Sequence, residues 1–209
     1  MNENATTKPA RMRLFVAVNV GPSITEAMAA ELPALRAEAE RCGLKISWGR
    51  PEGWHATIKF LGDVDGERAR AIAGQVEAVA VTLEPFDTRA TGVTTFPQGS
   101  RKPSVVVVNL SDDGRFSDLA RRVDEALVRE GFEREQRRFH PHVTFGRVRD
   151  ARGWRRFEPT VKALGDRPFG SGRVDALTLF SSKLGDGPAH YDAIAAATLA
   201  ASRSSAVGS

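Results

Sequence analysis

The sequence predicts an α+β fold in which two similar halves enclose a central cleft. Two observations support this prediction. Stretches with the pattern of a strand alternate with amphipathic helical stretches along the 209 residues of the chain. The short motif His-x-Thr also occurs twice, at His55 and at His142, each time in a predicted strand. A pattern that returns along a chain indicates an internal pseudo-duplication, so we expect a bilobal molecule with one motif in each lobe.

The first half is predicted to contain strand, helix, strand and helix in that order. Residues 13–20 form an apolar run typical of a strand, and the Gly-Pro-Ser sequence at 21–23 interrupts it. A helix is expected from there through residue 41, and Gly43 is expected to close it. Residues 54–61 predict the second strand, and the amphipathic pattern at 67–81 predicts the second helix.

The second half begins with a predicted hairpin. Residues 86–96 turn at Pro97-Gln98-Gly99-Ser100 and return as the β-branched run 105–108. A third helix is expected at 116–130. The next predicted strand is 142–148. A short Arg-rich connection follows it, and the last two predicted strands are 174–181 and 191–199.

Composition limits the class of protein. The chain is 41% hydrophobic and 27% charged, which fits one globular domain with two lobes. We predict this domain at 11–199, a flexible segment at 1–10 and a disordered tail at 200–209. Cys42 is the only cysteine, so no internal disulfide is possible. Without a signal peptide or transmembrane pattern, a cytoplasmic location is expected, and nothing in the sequence requires more than a monomer.

Positive charge is concentrated around the second motif. The formal net charge of +4 favours a polyanionic partner only weakly. Eight arginines surround His142, namely Arg134, Arg137, Arg138, Arg147, Arg149, Arg152, Arg155 and Arg156. Their density suggests RNA as a partner, although a solvated surface explains most of them equally well when each is taken alone.

The two motifs carry the strongest chemical signal. Because side chains alternate along a strand, His55, Thr57 and Lys59 are expected on one face, with Ala56, Ile58 and Phe60 on the other. A single histidine in a strand is usually structural. Two copies in matching positions, among only four histidines in the chain, are hard to explain by packing alone.

Paired histidines and threonines suit general acid and base catalysis at phosphorus. A neutral imidazole can deprotonate water while an imidazolium protonates the departing oxygen. The hydroxyls of Thr57 and Thr144 can donate to nonbridging phosphate oxygens and stabilise the charge that develops there. The predicted catalytic residues are therefore His55 and His142.

These motifs resemble the paired H-x-T-x motifs of the 2H phosphoesterase superfamily. The resemblance is closest to its RNA 2′,3′-cyclic phosphodiesterases, also called 2′-5′ RNA ligases. It extends over about residues 11–199 and includes further family landmarks in family order. These are the segments 13–18 (RLFVAV), 59–62 (KFLG), 96–97 (FP) and 177–183 (LTLFSSK), followed by Tyr191.

The resemblance implies two antiparallel sheets with helices outside and a central cleft that holds both motifs. It also implies that a 2′,3′-cyclic phosphate end of RNA is opened to a 2′-phosphate, with reversible 2′-5′ ligation as an accompanying activity. In this reaction His55 would donate the proton and His142 would accept it. Arg147 matches a family arginine that binds the phosphate. No cofactor and no obligate protein partner are implied.

The position of Arg147 conflicts with simple alternation. From His142, alternation places Thr144 and Gly146 on the site face and Arg147 on the opposite face. A glycine inside a strand often marks a bulge, and one extra residue turns the next side chain to the other face. We therefore predict a bulge or a strand end near Gly146.

Other residues allow more than one interpretation. Phe15 is predicted to stack on a nucleobase and Lys59 to contact RNA phosphate, with core packing and solvation as the respective alternatives. His140 and His142 resemble a pair of metal ligands, but no Asp, Glu or Cys follows at a ligand spacing, so no metal is predicted. Two rival functions remain open: another 2H phosphoesterase substrate, such as a 2′-5′ linked or cyclic nucleotide, and a non-catalytic RNA-binding module.

Overall fold

The computed structural model describes residues 11–111, 113–183 and 190–200, and these ranges contain four α-helices and nine strands. The helices are α1 (Pro22–Cys42), α2 (Ala69–Ala80), α3 (Arg115–Arg129) and α4 (Trp154–Ala163). The strands are β1 (Arg11–Val18), β2 (Lys45–Trp48), β3 (Ala56–Asp65), β4 (Phe86–Phe96), β5 (Val105–Ser111), β6 (His142–Asp150), β7 (Pro168–Val174), β8 (Ala176–Lys183) and β9 (His190–Thr198). The predicted flexible segment 1–10 and residues 201–209 of the predicted tail lie outside the described residues.

The predicted α+β fold with antiparallel sheets is confirmed, and the two predicted sheets are joined. The strand order is β7-β4-β5-β6-β3-β1-β8-β9, with β2 paired to β6. All of the pairings are antiparallel. We call β3, β1, β8 and β9 the first lobe, and β7, β4, β5, β6 and β2 the second lobe. The lobes meet where β3 pairs with β6 at a single position, Ala56 opposite Val143.

The lobes do not follow the two halves of the sequence. The sequence interpretation assigns the last two strands to the second half, but β8 pairs with β1 and β9 extends the first lobe. Helix α1 lies against β7 and α4 of the second lobe, while α3 lies against α2 and β3. The assignment was wrong because β1 is a central strand, and its second edge is covered by a strand from the other end of the chain.

Three elements are missing from the sequence interpretation. They are β2, α4 and β7, and the last two occupy the region treated as an Arg-rich connection. Pro159 lies inside α4, and Gly170 and Gly172 lie inside β7. Proline disfavours a helix and glycine disfavours a strand, so the sequence pattern did not indicate these two elements. Gly172 is needed because a Cβ there would overlap the carbonyl of Val20.

Apolar side chains of strands and helices form one core. Val16 of β1, Met28 of α1 and Leu119 of α3 are fully buried in it. Helix α1 ends as the sequence predicts, because Gly43 adopts the left-handed conformation (φ 70°) and its N–H donates to Glu40. None of the helices in the described ranges is long and apolar enough to cross a membrane.

Candidate active site

The two His-x-Thr motifs lie side by side at the junction of the lobes. Ala56 and Val143, which pair there, are both fully buried in the core. Because side chains alternate, the residues on either side of this pair point to the opposite face, which is the floor of the cleft. These residues are His55, Thr57 and Thr144, which line the cleft, and His142, which alternation from Val143 places on the same face. The structure therefore brings the two motifs together from sites 87 residues apart (142 − 55) in the chain.

Both histidine rings are held in the same way. Nδ1 of His55 lies 2.7 Å from the carbonyl oxygen of Gly53, and Nδ1 of His142 lies 2.6 Å from that of His140. A carbonyl oxygen only accepts hydrogen bonds, so Nδ1 is the donor in each ring. This leaves Nε2 of each imidazole for a substrate. The sequence interpretation missed these two orienting carbonyls, since a backbone atom leaves no signal in a motif.

Aromatic rings support His55. The ring of Phe15 stacks on it with a centroid distance of 4.9 Å, and Phe180 lies 5.9 Å away. The edge of Tyr191 packs at 5.1 Å. Phe15 is only 2% exposed. Its predicted role as a base-stacking residue is therefore wrong, because no free face of the ring remains once His55 and its neighbours cover it.

A bulge in β3 places Lys59 on the wrong face for an RNA contact. Val16 pairs with Lys59 while the next residue, Ala17, pairs with Thr57, so Ile58 is the extra residue. Lys59 then points into the helix layer, where its Nζ lies 2.6 Å from Oδ1 of Asp124. The predicted phosphate contact by Lys59 is therefore wrong. Simple alternation failed because it assumes a ladder without a bulge.

The buried ion pair of Lys59 and Asp124 joins β3 to α3. The side chains are 9% and 12% exposed, and Lys59 also donates to the carbonyl of Glu133. Burial by itself raises the pKa of Asp124, but hydrogen bonds from Lys59 and from the Glu135 N–H outweigh it and lower this pKa below its ordinary value. The pair therefore stabilises the fold at neutral pH, and this stabilisation is lost as the pH falls through the titration of Asp124.

Replacement of Lys59 is expected to act on stability. Lys59→Met leaves the Asp124 carboxylate buried with only a longer contact to Arg134 (3.6 Å), so it should lower the free energy of unfolding by about 3 kcal/mol. Urea unfolding measures this loss. The double variant Lys59→Met/Asp124→Leu is the control and should recover much of it. Weaker substrate binding with unchanged stability would contradict this account.

The bulge predicted near Gly146 is confirmed. Val106 pairs with Gly146 while the next residue, Val107, pairs with Thr144, so Phe145 is the extra residue in β6. Arg147 consequently lines the cleft. Gly146 has a further role, because a Cβ there would lie 2.6 Å from Cγ2 of Ile46 on the neighbouring strand β2.

The two bulges occupy equivalent places. In each motif the third residue after the histidine is the extra one, so the fifth residue faces the cleft. This fifth residue is Phe60 in the first motif and Arg147 in the second. Phe60 is 61% exposed and packs beside Phe15 at a centroid distance of 6.0 Å. The cleft thus has a free aromatic ring on one side and a cation on the other.

Four arginines line the cleft, namely Arg13, Arg50, Arg147 and Arg149. None of them forms an ion pair with an acidic residue in the described part of the chain. Glu52 is the one acidic residue among the described residues that line the cleft. Three of the eight arginines that surround His142 instead form ion pairs with nearby acidic residues. They are Arg134, Arg137 and Arg152.

Both histidines are difficult to protonate in the free protein. Burial lowers the pKa of His55 from 6.5 to about 4, although its bond to Gly53 partly opposes this, and the charges of Arg147 and His142 lower it further. Burial also lowers the pKa of His142, although the bond to the His140 carbonyl partly opposes this, and the charges of His140 and Arg147 lower it further. Arg147 acts on both rings, and His142 acts on His55, so these groups lie within electrostatic reach of one another. A phosphate anion between them would favour the charged imidazole.

Phosphate binding is therefore expected to raise the pKa of His55. In the free protein its ring protons should titrate near pH 4, and saturation with inorganic phosphate should move the midpoint upward. Proton NMR of the imidazole C2–H signals measures both titrations, and the signal lost in His55→Ala gives the assignment. A midpoint that stays near 4 with phosphate bound would show that the anion binds away from the imidazoles.

The described residues contain no group of three or more His, Cys, Asp and Glu side chains arranged to hold a metal ion. His140 and His142 accordingly have no third ligand among them. The ring of His140 instead lies beside Phe96, at a centroid distance of 5.9 Å.

The family model described as the 2′-5′ RNA ligase superfamily matches residues 25–186, a range that contains both motifs. The chain belongs to the 2′-5′ RNA ligase superfamily. A relative from Methanothermobacter thermautotrophicus, named RNA 2′,3′-cyclic phosphodiesterase, is 30% identical over 183 residues, which cover 87% of this chain and 96% of the relative. A relative of the same name from Archaeoglobus fulgidus is 37% identical over 138 residues, or 66% and 73% of the two chains.

Solved structures show that this superfamily member shares its fold with two bacterial proteins. One is from Thermus thermophilus, with a TM-score of 0.71 and 23% identity over 91% of this chain and 100% of that one. The other is Escherichia coli LigT in complex with 3′-AMP, with a TM-score of 0.69 and 23% identity over 91% and 99%. At this identity the likeness concerns the fold.

Proposed function

We propose that this protein hydrolyses 2′,3′-cyclic phosphate ends of RNA to 2′-phosphate ends by two-histidine acid and base catalysis without a metal ion. The observation that carries the proposal is the pairing of Ala56 with Val143, which turns both His-x-Thr motifs toward one cleft. The names of the relatives support the same substrate, since several are called RNA 2′,3′-cyclic phosphodiesterases.

In the first part of the reaction, water attacks phosphorus. Nε2 of His142 is unprotonated in the neutral ring and accepts a proton from the water as the new P–O bond forms. The hydroxyls of Thr57 and Thr144 donate to nonbridging oxygens, and the guanidinium of Arg147 offsets the charge that accumulates on them. His142 becomes an imidazolium.

In the second part, the P–O3′ bond breaks and O3′ takes the proton from Nε2 of the His55 imidazolium. The assignment of His55 as donor follows the family resemblance. His55 is neutral in the free protein at neutral pH, so it must gain its proton as the substrate anion binds. Proton exchange with solvent then restores both rings. If an RNA 5′-hydroxyl replaces water as the nucleophile, the same steps form a 2′-5′ linkage, which we propose as an accompanying activity.

Phe60 completes the substrate site in this proposal. It has the exposed ring that Phe15 lacks, and it lies next to the rings that support His55. Aromatic stacking is a common way to hold an unpaired base of RNA. We propose that the base of the terminal nucleotide stacks on Phe60 while its phosphate lies between the histidines.

The test is hydrolysis of an oligoribonucleotide with a 2′,3′-cyclic phosphate end in excess chelator. Turnover should continue, and phosphorus NMR should identify the product as the 2′-phosphate. Loss of turnover on adding chelator would contradict the metal-free mechanism, and a 3′-phosphate product would reverse the choice of leaving oxygen. Binding without turnover would favour the non-catalytic RNA-binding module.

A further inference from the structure

Each of the two motif histidines packs against one aromatic ring at a steep angle. Tyr191 meets the imidazole of His55 at a centroid distance of 5.1 Å and an interplanar angle of 86°. Phe96 meets the imidazole of His142 at 5.1 Å and 62°. Both aromatic side chains are half-buried. The two contacts are therefore alike in distance and in their edge-on geometry, although the rings belong to different lobes.

Each ring also lies next to the residue whose carbonyl binds the histidine. A Cβ at Gly53 would lie 3.4 Å from Cδ2 and Cε2 of Tyr191, so this ring lies directly beside Gly53. Phe96 lies beside the ring of His140 at a centroid distance of 5.9 Å. Gly53 and His140 supply the oxygen atoms that accept from Nδ1 of the two imidazoles. Each aromatic ring is thus next to both residues that form an orienting hydrogen bond.

One hydrogen bond does not fix an imidazole completely. The χ2 torsion of histidine has a broad energy profile, and the ring can still tilt about the line that joins Nδ1 to the oxygen. His55 stacks on Phe15, but a stacked ring can slide within its own plane, which the edge-on contact of Tyr191 opposes. Among the described residues, Phe96 is the one aromatic side chain in ring contact with His142. A contact at a second angle therefore restrains each imidazole.

The two aromatic residues come from strands that do not adjoin the motif strands. Tyr191 belongs to β9, which β1 and β8 separate from β3, and Phe96 ends β4, which β5 separates from β6. Phe96 is not among the described residues that line the cleft, so its connection to the site is through His142. Tyr191 lines the cleft, but its contacts to His55 and Gly53 are made by the ring and not by the hydroxyl.

We infer that Tyr191 and Phe96 are positioning residues, which hold the imidazoles of His55 and His142 in the plane and tautomer that present Nε2 to the substrate. In a neutral imidazole one nitrogen donates and the other accepts, so a proton held on Nδ1 leaves Nε2 open. The kinetic consequence rests on the proposed function, whereas the orientation of the rings can be measured without turnover.

The first experiment measures the tautomers directly. Tyr191→Leu and Phe96→Leu each remove one ring and keep an apolar side chain. Nitrogen NMR at neutral pH should show Nδ1 protonated in both motif histidines of the parent. In each variant the adjoining histidine should shift toward the Nε2–H form that prevails in free histidine, while the other keeps its parent signals. Phe132→Leu is the matched control, because this half-buried ring lies under Arg68 (4.8 Å), and it should change neither histidine.

Kinetics provides the second measurement. Each of the two Leu variants should lower kcat by about 10- to 100-fold with little change in KM, since a misplacement of about 1 Å can cost about 100-fold. Tyr191→Phe keeps the ring and should keep the parent kcat. An aryl phosphodiester, whose phenolate leaves without a proton, distinguishes positioning from a general defect. With this substrate the loss in Tyr191→Leu should change as it does in His55→Ala, and the loss in Phe96→Leu as it does in His142→Ala.

Parent tautomers in both Leu variants, or losses that do not depend on the leaving group, would overturn the inference and leave the proposed function intact. A raised KM with the parent kcat in Tyr191→Leu would assign that ring to substrate binding and overturn its positioning role. If the parent turns over neither substrate, the proposed function is wrong, while nitrogen NMR still tests the orientation of the imidazoles. Amide spectra check that each variant folds, and Met takes the place of Leu where it does not.

Discussion

His55→Ala and His142→Ala are each expected to lower kcat for an RNA 2′,3′-cyclic phosphate by ~100- to 10,000-fold, the usual contribution of a general acid or base. Each variant removes an Nε2 atom that the Nδ1 bonds to Gly53 and His140 leave free for substrate. Steady-state kinetics measures the loss. The matched control is His190→Ala, because this exposed histidine of β9 also lines the cleft but bonds to Asp192 (3.1 Å) and takes no part in the proposed reaction.

The acid and base can be told apart by changing the leaving group. An aryl phosphodiester releases a phenolate that needs no proton, so the loss in His55→Ala should shrink strongly with this substrate. The loss in His142→Ala should remain, since water must still be deprotonated. The opposite result would exchange the two roles. The parent pH profile should be bell-shaped, and its limbs describe the coupled pair rather than either ring alone.

Arg147→Gln is expected to lower kcat/KM by ~100- to 1,000-fold, the typical cost of removing a group that stabilises developing charge. It should also raise the pKa of both cleft histidines, because the charge of Arg147 lowers both in the parent. The imidazole titrations should therefore move to higher pH while activity falls. Kinetics together with NMR titration measures the two effects.

Two further variants make this prediction specific. Arg147→Lys keeps the charge but loses the planar fork that binds two phosphate oxygens, so its activity should lie between those of the parent and Arg147→Gln. Arg155→Gln, at an exposed arginine of α4 outside the cleft, should behave as the parent. Unchanged activity in Arg147→Gln would remove this arginine from the phosphate site.

The sequence predicts the site best where its residues repeat. The paired motifs, the hairpin of β4 and β5, and the end of α1 at Gly43 are all local patterns, and the structure places them as expected. The bulge in β6 was predictable because Gly146 marks it. The matching bulge in β3 has no glycine, since Lys59 occupies that place, and so Lys59 and Phe60 were assigned to the wrong faces.

Other parts of the site depend on contacts that no short motif records. Whether Phe15 offers a free face depends on His55 and Phe180, which come from other parts of the chain. The carbonyls that orient the histidines belong to residues whose side chains are irrelevant to the bond. The cations of the cleft were recognised only in the Arg-rich segment, while Arg13 reaches the cleft from β1 and Arg50 from the loop after β2.

The exchange of strands and helices between the lobes has a consequence for biosynthesis. During translation β1 emerges early, but the strand that covers its second edge, β8, is among the last to leave the ribosome. A nascent chain that ends before residue 176 has an incomplete first lobe, and Phe180 and Tyr191 are not yet present to support His55. The aromatic support of His55 is therefore complete only once nearly the whole polypeptide has been made.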